Sequence, residues 1–261
     1  MKDTSKKCVL ITGASGAIGL ALAHKFASER YDLVLAVRDK KQTTIPPELS
    51  IYGVDIQYVY ADLNDSNSAS SIKKQTDLLG VRVAHLVNNA GFGELSRFED
   101  SDIDKLVGMI DVNVRALVLL TKVFLPEIIE CSGGILNIGS VAGFMPGPNK
   151  SVYFASKAFV VNFSVGLRHE LAGRANVSVL CPGPTKGGFW FSSPANRRLG
   201  ISQANYMSAD KVARIGYDGY MAGRAIITPG IINKFNTIVP RFLSKTFMAR
   251  VIAGMFVQPK D

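Results

Sequence analysis

The chain is short of cysteine, of acidic residues and of long apolar runs, and each shortage removes a class of protein. Its three cysteines, Cys8, Cys131 and Cys181, are odd in number and far apart, with no Cys-x-x-Cys pair and no His/Cys cluster. That speaks against a disulfide framework and a metal site, and it favours a reducing, cytoplasmic compartment. No stretch of about 18 uncharged apolar residues occurs, so a spanning helix is not expected. Residues 1–7 are polar and lack the apolar core and cleavage site of a secretory signal. Repeats, low-complexity segments and linkers are missing too, which favours one domain over two for 261 residues. The acidic deficit, 21 Asp/Glu against 30 Lys/Arg, leaves a net charge of +9. Nearly all of it lies in residues 186–261, where eleven cations meet three aspartates. No recognition motif accompanies this excess, so nucleic acid is not expected as a partner. A solvated basic face, or contact with an anionic membrane surface, fits it better.

What remains is a composition with 47% hydrophobic and 20% charged residues, that of a globular domain with a sizeable core. Short apolar runs alternate with helical stretches. Strands are expected at 9–11, 33–37, 56–60, 83–87, 134–138 and 177–180, and helices notably at 18–28, 102–125 and 152–171. Continuous apolar strands between helices predict an α/β fold: a single doubly wound domain whose parallel sheet, of about seven strands, is covered on both faces. In such a sheet ligands bind beyond the carboxyl ends of the strands. Thr12-Gly13, Asp62, Asn88-Asn89-Ala90-Gly91, Ser140 and Pro182-Gly183 each follow an expected strand, so they should line one edge.

The turn Thr12-Gly13-Ala14-Ser15-Gly16-Ala17-Ile18-Gly19 joins the first strand to the first helix. Small residues permit a tight turn, and the helix N-terminus offers N–H groups and a positive dipole to a pyrophosphate. At the end of the second strand stands Arg38, a guanidinium able to fork onto the 2′-phosphate of NADP. Asp39 beside it leaves NAD open. Asp62 suits an adenine-amine contact or the cap of the next helix.

Tyr153 and Lys157 lie four residues apart on an expected helix, so phenol and ammonium share a face. A tyrosine with an ordinary pKa near 10 is a poor acid or base at neutral pH, and an adjacent cation favours its phenolate. Tyr-x-x-x-Lys is a common spacing by chance. Its weight comes from Ser140 thirteen residues upstream and the glycine-rich turn. Ser140 also has an ordinary reading as a turn or cap residue, and Asn113 one as a partner for backbone groups.

Together these residues resemble the short-chain dehydrogenase/reductase family over about residues 8–225. The resemblance is carried by the turn at 12–19, Asn88-Asn89-Ala90-Gly91, the set Asn113, Ser140, Tyr153 and Lys157, and Pro182-Gly183. Ala90-Gly91-Phe92-Gly93, Cys181-Pro182-Gly183-Pro184-Thr185 and Pro229-Gly230 further resemble the bacterial DltE-like branch. The resemblance implies a Rossmann-type domain that uses NADP, with NAD possible, to move a hydride between nicotinamide and a small-molecule carbonyl or alcohol. Tyr153 would be the acid/base, Lys157 would lower its pKa and bind the ribose, Ser140 would hold the substrate oxygen, and Asn113 would hold a water. Cofactor contacts are implied at Gly13, Ser15, Gly16, Ile18, Gly19, Arg38, Asp62, Leu63, Asn89, Ala90, Gly91, Tyr153, Lys157, Pro182, Gly183 and Thr185, and a homo-oligomer is implied as well. The chain departs from the pattern at Ala17, where glycine is usual. After Pro182-Gly183, whether Thr185 anchors the carboxamide stays open. A silent sensor or scaffold commonly lacks the tyrosine or lysine, and this chain has both.

Residues 187–206 fall where the family carries its substrate-covering loop. Phe189-Trp190-Phe191 there, with Phe144-Met145 after Ser140, suits an apolar substrate. The tail at 231–257, set out as a helix, shows no clean apolar stripe and needs cover. That cover is expected from its own domain or a partner subunit, with membrane attachment, and so a lipid carbonyl as substrate, as the alternative.

Overall fold

The computed structural model describes residues 6–38, 47–187 and 206–255. Seven strands form one parallel sheet: β1 Lys6–Thr12, β2 Asp32–Val37, β3 Ile56–Tyr60, β4 Val81–Asn88, β5 Gly134–Ile138, β6 Asn176–Leu180 and β7 Ile226–Ile227. Their order is β3-β2-β1-β4-β5-β6-β7, so the winding reverses between β1 and β4. The two-residue β7 is too short to be read from its sequence. The helices among the described residues are α1 Ala17–Ser28, α2 Pro47–Ser50, α3 Ser68–Leu78, α4 Ile103–Ile110, α5 Leu117–Glu130, α6 Ser151–Glu170, α7 Ala209–Met221, α8 Ile231–Ile238 and α9 Lys245–Met255.

Alternation along each strand sends side chains to two cores, one on each face. Val9 and Ile11 of β1, with Leu33, Leu35 and Val37 of β2, pack under α1 and α7. Cys8, Leu10, Val34 and Ala36 pack on the other side, against Ile72 of α3, Phe124 of α5 and Leu167 of α6. Both sets are buried, which is why the strands read as uninterrupted apolar runs.

Two expected helices take a different form. The stretch at 102–125 is interrupted: α4 passes into a π-helical segment, Asp111–Ala116, before α5 runs on to Glu130. The wide turn sits at Asn113, whose side chain bonds outside its own helix; such π segments commonly mark functional positions. The tail is two helices, because Pro240 has no N–H to continue α8, and the Ser244 hydroxyl accepts from Phe247 N–H at 3.2 Å as α9 begins. The break at Pro240 shifts the register between the two helices, so the run set out as a single helix shows no one stripe.

Candidate active site

The turn after β1 is built by contact with the loop after β4. Gly13 has φ +63, and a Cβ there would lie 2.9 Å from Ala90 Cα. A Cβ on Gly19 would lie 2.4 Å from the Gly13 carbonyl oxygen and 2.6 Å from Asn89 Nδ2. Thr12 Oγ1 accepts from the N–H groups of Asn89 and Ala90, each at 3.0 Å, and Asn89 Nδ2 donates to the carbonyls of Thr12 and Gly13 at 2.9 and 3.0 Å. These bonds hold the glycine-rich turn open at the point where the winding reverses. The first turn of α1 has no side-chain cap and no acidic residue, so its N–H groups face the cleft uncompensated.

On the far side of the cleft, Lys157 is 5% exposed and donates to the Ile138 carbonyl at 2.9 Å. Its Nζ stands 5.9 Å from the centre of the Tyr153 ring. Burial pushes its pKa down to about 8. Cys181, nearby, has its thiol pushed up to about 12 by burial and stays neutral, so it brings Lys157 no counter-charge. The Tyr153 ring is itself buried; a Cβ on Gly93 would come 2.5 Å from it, and Phe154 meets it edge-on. Ser140 is a cap residue at the edge of the cleft. Its Oγ accepts from Ala142 N–H at 3.1 Å, capping the short helix Val141–Phe144, and the residue lines the cleft.

Asn113 is buried behind the wall. Its Oδ1 accepts from Phe92 N–H at 3.0 Å, and its Nδ2 donates to the Phe92 carbonyl at 2.9 Å and to Ser156 Oγ at 3.0 Å. Both amide hydrogens are therefore committed to protein. The side chain fixes the loop after β4 against α6, the helix that carries Tyr153 and Lys157.

One open cleft of about 900 Å³ joins these parts. Every residue expected to touch a cofactor lines it, along with Ser140, Tyr153 and Lys157. Arg38 is exposed at the end of β2, while Asp39 lies outside the described residues. Asp62 caps no helix; its Oδ1 accepts from Asn64 N–H at 3.0 Å and from Asn64 Nδ2 at 2.9 Å. Thr185 is buried and donates to the Gly183 carbonyl at 3.0 Å. Phe189-Trp190-Phe191 lie outside the described residues. Phe144 is not in the cleft; it packs beside Leu117 and Val160, and only Met145 of that pair reaches the wall.

Several lining residues had no motif to mark them: Lys150, Phe154 and, from the tail, Asn236, Val239, Met248, Val251 and Ile252. Lys150 and Phe154 carried a usable signal, since both sit within a turn of Tyr153. Met248 and Ile252 pack in one cluster with Tyr153, Phe154, Ala142 and Met109, so the tail is covered on one side by its own domain. Lys150 is 5% exposed, and burial pushes its pKa down to about 7. A lysine whose folded pKa is below its unfolded value of 10.5 leaves the unfolded chain holding more protons between the two values. Stability should therefore rise as pH rises from about 7 towards 10.5, with Lys157 adding in the same direction from about 8. Denaturant unfolding across that range should show the rise, and a smaller one in Lys150→Met. An unchanged slope in the variant would contradict the assignment.

The fold and this cleft define a dinucleotide-binding α/β protein: the groove at the reversal of the sheet offers a tight glycine turn, an uncapped helix N-terminus and a cation at the end of β2. The chain belongs to the short chain dehydrogenase family, whose sequence pattern matches residues 7–197. It is an oxidoreductase enzyme of the hydride-transferring kind. It is similar to sulfoacetaldehyde reductase 2 of Chromohalobacter salexigens, 38% identical over 180 residues that cover 67% of this chain and 71% of that protein. With 11-beta-hydroxysteroid dehydrogenase 1A of Arabidopsis thaliana it shares 33% identity over 180 residues, 68% of this chain. The match spans about half of that plant protein, 52%. A solved short-chain dehydrogenase from Sphingobium yanoikuyae, in complex with NADPH, superposes with a TM-score of 0.76 at 27% identity, covering 98% of each chain. No helix among the described residues is long and apolar enough to cross a membrane.

Proposed function

We propose that this chain is an NADP-dependent reductase of an apolar carbonyl compound, or dehydrogenase of the matching secondary alcohol, with Tyr153 as its acid/base. The observation that carries this reading is that Tyr153, Lys157 and Ser140 line the same cleft as the glycine-rich turn. NADPH would lie along that turn, with its 2′-phosphate at Arg38, and would supply the hydride. Ser140 Oγ orients the substrate oxygen, and Tyr153 Oη gives it a proton. The Lys157 ammonium beneath the ring favours the phenolate that results. The wall beyond Tyr153 is apolar, made by Phe92, Met145, Phe154, Met248, Val251 and Ile252, and this supports an apolar substrate.

Among the relatives' names, hydroxysteroid fits that wall better than sulfoacetaldehyde. The sulfonated reading draws on one observation, the Lys150 amine in the same wall. A panel of long-chain ketones and sulfoacetaldehyde, followed by NADPH oxidation, decides between them; turnover of sulfoacetaldehyde alone would overturn the apolar reading. Arg38→Ala should weaken NADPH binding by roughly tenfold or more and NADH binding far less, as charge-assisted phosphate contacts require. Equal losses for the two cofactors would remove Arg38 from the phosphate site. A homo-oligomer has its own apolar surface to use, for Ile103, Val107 and Ile110 lie exposed on α4 and Phe159 on α6.

A further inference from the structure

The two tail helices carry more exposed apolar surface than their packing explains. Ile231, Phe235, Ile238 and Phe242 follow one another at helical spacing on the outside of α8 and the turn after it, and Phe242 is 83% exposed. Ile232 beside them is 78% exposed, and Phe247 on α9 is 52% exposed. Around this surface stand Lys234, Arg241, Lys245 and Arg250, all exposed, and residues 231–255 contain no acidic residue. None of the four cations forms an ion pair with a described residue.

Two occupants would cover such a face, and charge separates them. A second copy docked through it would be related by a two-fold axis, so four unpaired cations would meet the same four with no acid in the segment to answer them. An anionic bilayer answers all four, and large aliphatic and aromatic residues ringed by Lys and Arg are what an interfacial helix presents to it.

We infer that the outer face of α8 and α9 docks on an anionic lipid bilayer, and that the cleft draws its carbonyl substrate from that bilayer. The second half follows from the inner side of the same segment. Asn236, Val239, Met248, Val251 and Ile252 wall the cleft, and Met248 and Ile252 share a buried cluster with Tyr153. A docked molecule therefore sets the mouth beside Tyr153 at headgroup level. A ketone or aldehyde dissolved in the acyl region then reaches the site without crossing water. This rests on the apolar-substrate reading above, and the membrane half stands or falls by itself.

The test uses the full chain with phosphatidylcholine vesicles, with and without phosphatidylserine. Co-sedimentation is expected with the anionic vesicles, weakened by roughly tenfold or more at high salt or without phosphatidylserine. Two surface variants, Phe235→Ser/Phe242→Ser/Phe247→Ser and Lys234→Glu/Arg241→Glu, should lose it. Both should keep NADPH-dependent turnover of a short, water-soluble ketone, which shows that they fold. With a long-chain ketone supplied in anionic vesicles, their turnover should fall by at least about tenfold, as expected when acyl-chain partition and basic-patch attraction are lost together. Absence of co-sedimentation in the native chain overturns docking, as does binding that survives both variants. A native dimer that the variants convert to monomer, with no vesicle binding, gives the face to a second copy. Vesicle binding without turnover of any carbonyl upholds docking and defeats the reductase reading instead.

Discussion

Tyr153→Phe is expected to lower NADPH-dependent ketone turnover by about 10²–10⁴-fold, the usual worth of a positioned acid or base. Phenylalanine keeps the ring that Gly93 and Phe154 enclose, so the fold should be retained. The loss should fall on kcat, because the hydroxyl acts on the oxygen as its charge changes and adds little to ground-state binding. NADPH titration by fluorescence should give an affinity within a few fold of the native chain. Turnover that survived the substitution would remove Tyr153 as the acid and leave the cleft to another donor. A variant with lost NADPH binding would show that the phenol holds the cofactor and that its effect on rate is indirect.

Gly19→Ala is the second large effect, and it acts at the other end of the cleft. The added methyl would stand 2.4 Å from the Gly13 carbonyl oxygen and 2.6 Å from Asn89 Nδ2, closer than real Cβ atoms come. Relief requires moving the backbone of the turn or withdrawing the Asn89 amide, which donates to the carbonyls of Thr12 and Gly13. Overpacking of this kind costs about 1–3 kcal/mol of stability. The same shift spoils the groove, so NADPH affinity should drop by at least about tenfold, in keeping with how steeply binding depends on preformed geometry. Urea unfolding and NADPH titration on one preparation test both parts. Unchanged affinity in a destabilised variant would separate the turn from the cofactor and undo the groove assignment.

The contrast between these sites shows what the sequence could convey. Gly13 and Gly19 were legible because backbone must approach backbone closely there, and few residue types allow it. The sheet was legible because strands buried on both faces leave unbroken apolar runs, as β2 does from Leu33 to Val37. Tyr153 and Lys157 were legible because their helical spacing came together with Ser140 upstream and the glycine-rich turn; the spacing alone is too common to mark them. The π segment was not: its cause is the Asn113 side chain reaching Phe92 and Ser156, partners twenty-one and forty-three residues away. The tail was the hardest part. A single helix predicts one apolar stripe, whereas α8 and α9 are broken at Pro240 and carry apolar residues both towards Tyr153 and towards the outside. Pattern alone does not tell those two sides apart.

The tail's place over Tyr153 also bears on how the chain is made. All seven strands, the glycine-rich turn and α6 precede residue 228, and α8 and α9 follow it. Domains commonly begin to fold while synthesis continues, N-terminal parts first. The nucleotide groove can therefore be complete on the ribosome before the tail adds Met248, Val251 and Ile252 to the wall that Phe92, Met145 and Phe154 begin. In the emerging chain, the capacity to hold a dinucleotide comes before the cleft has its full apolar wall.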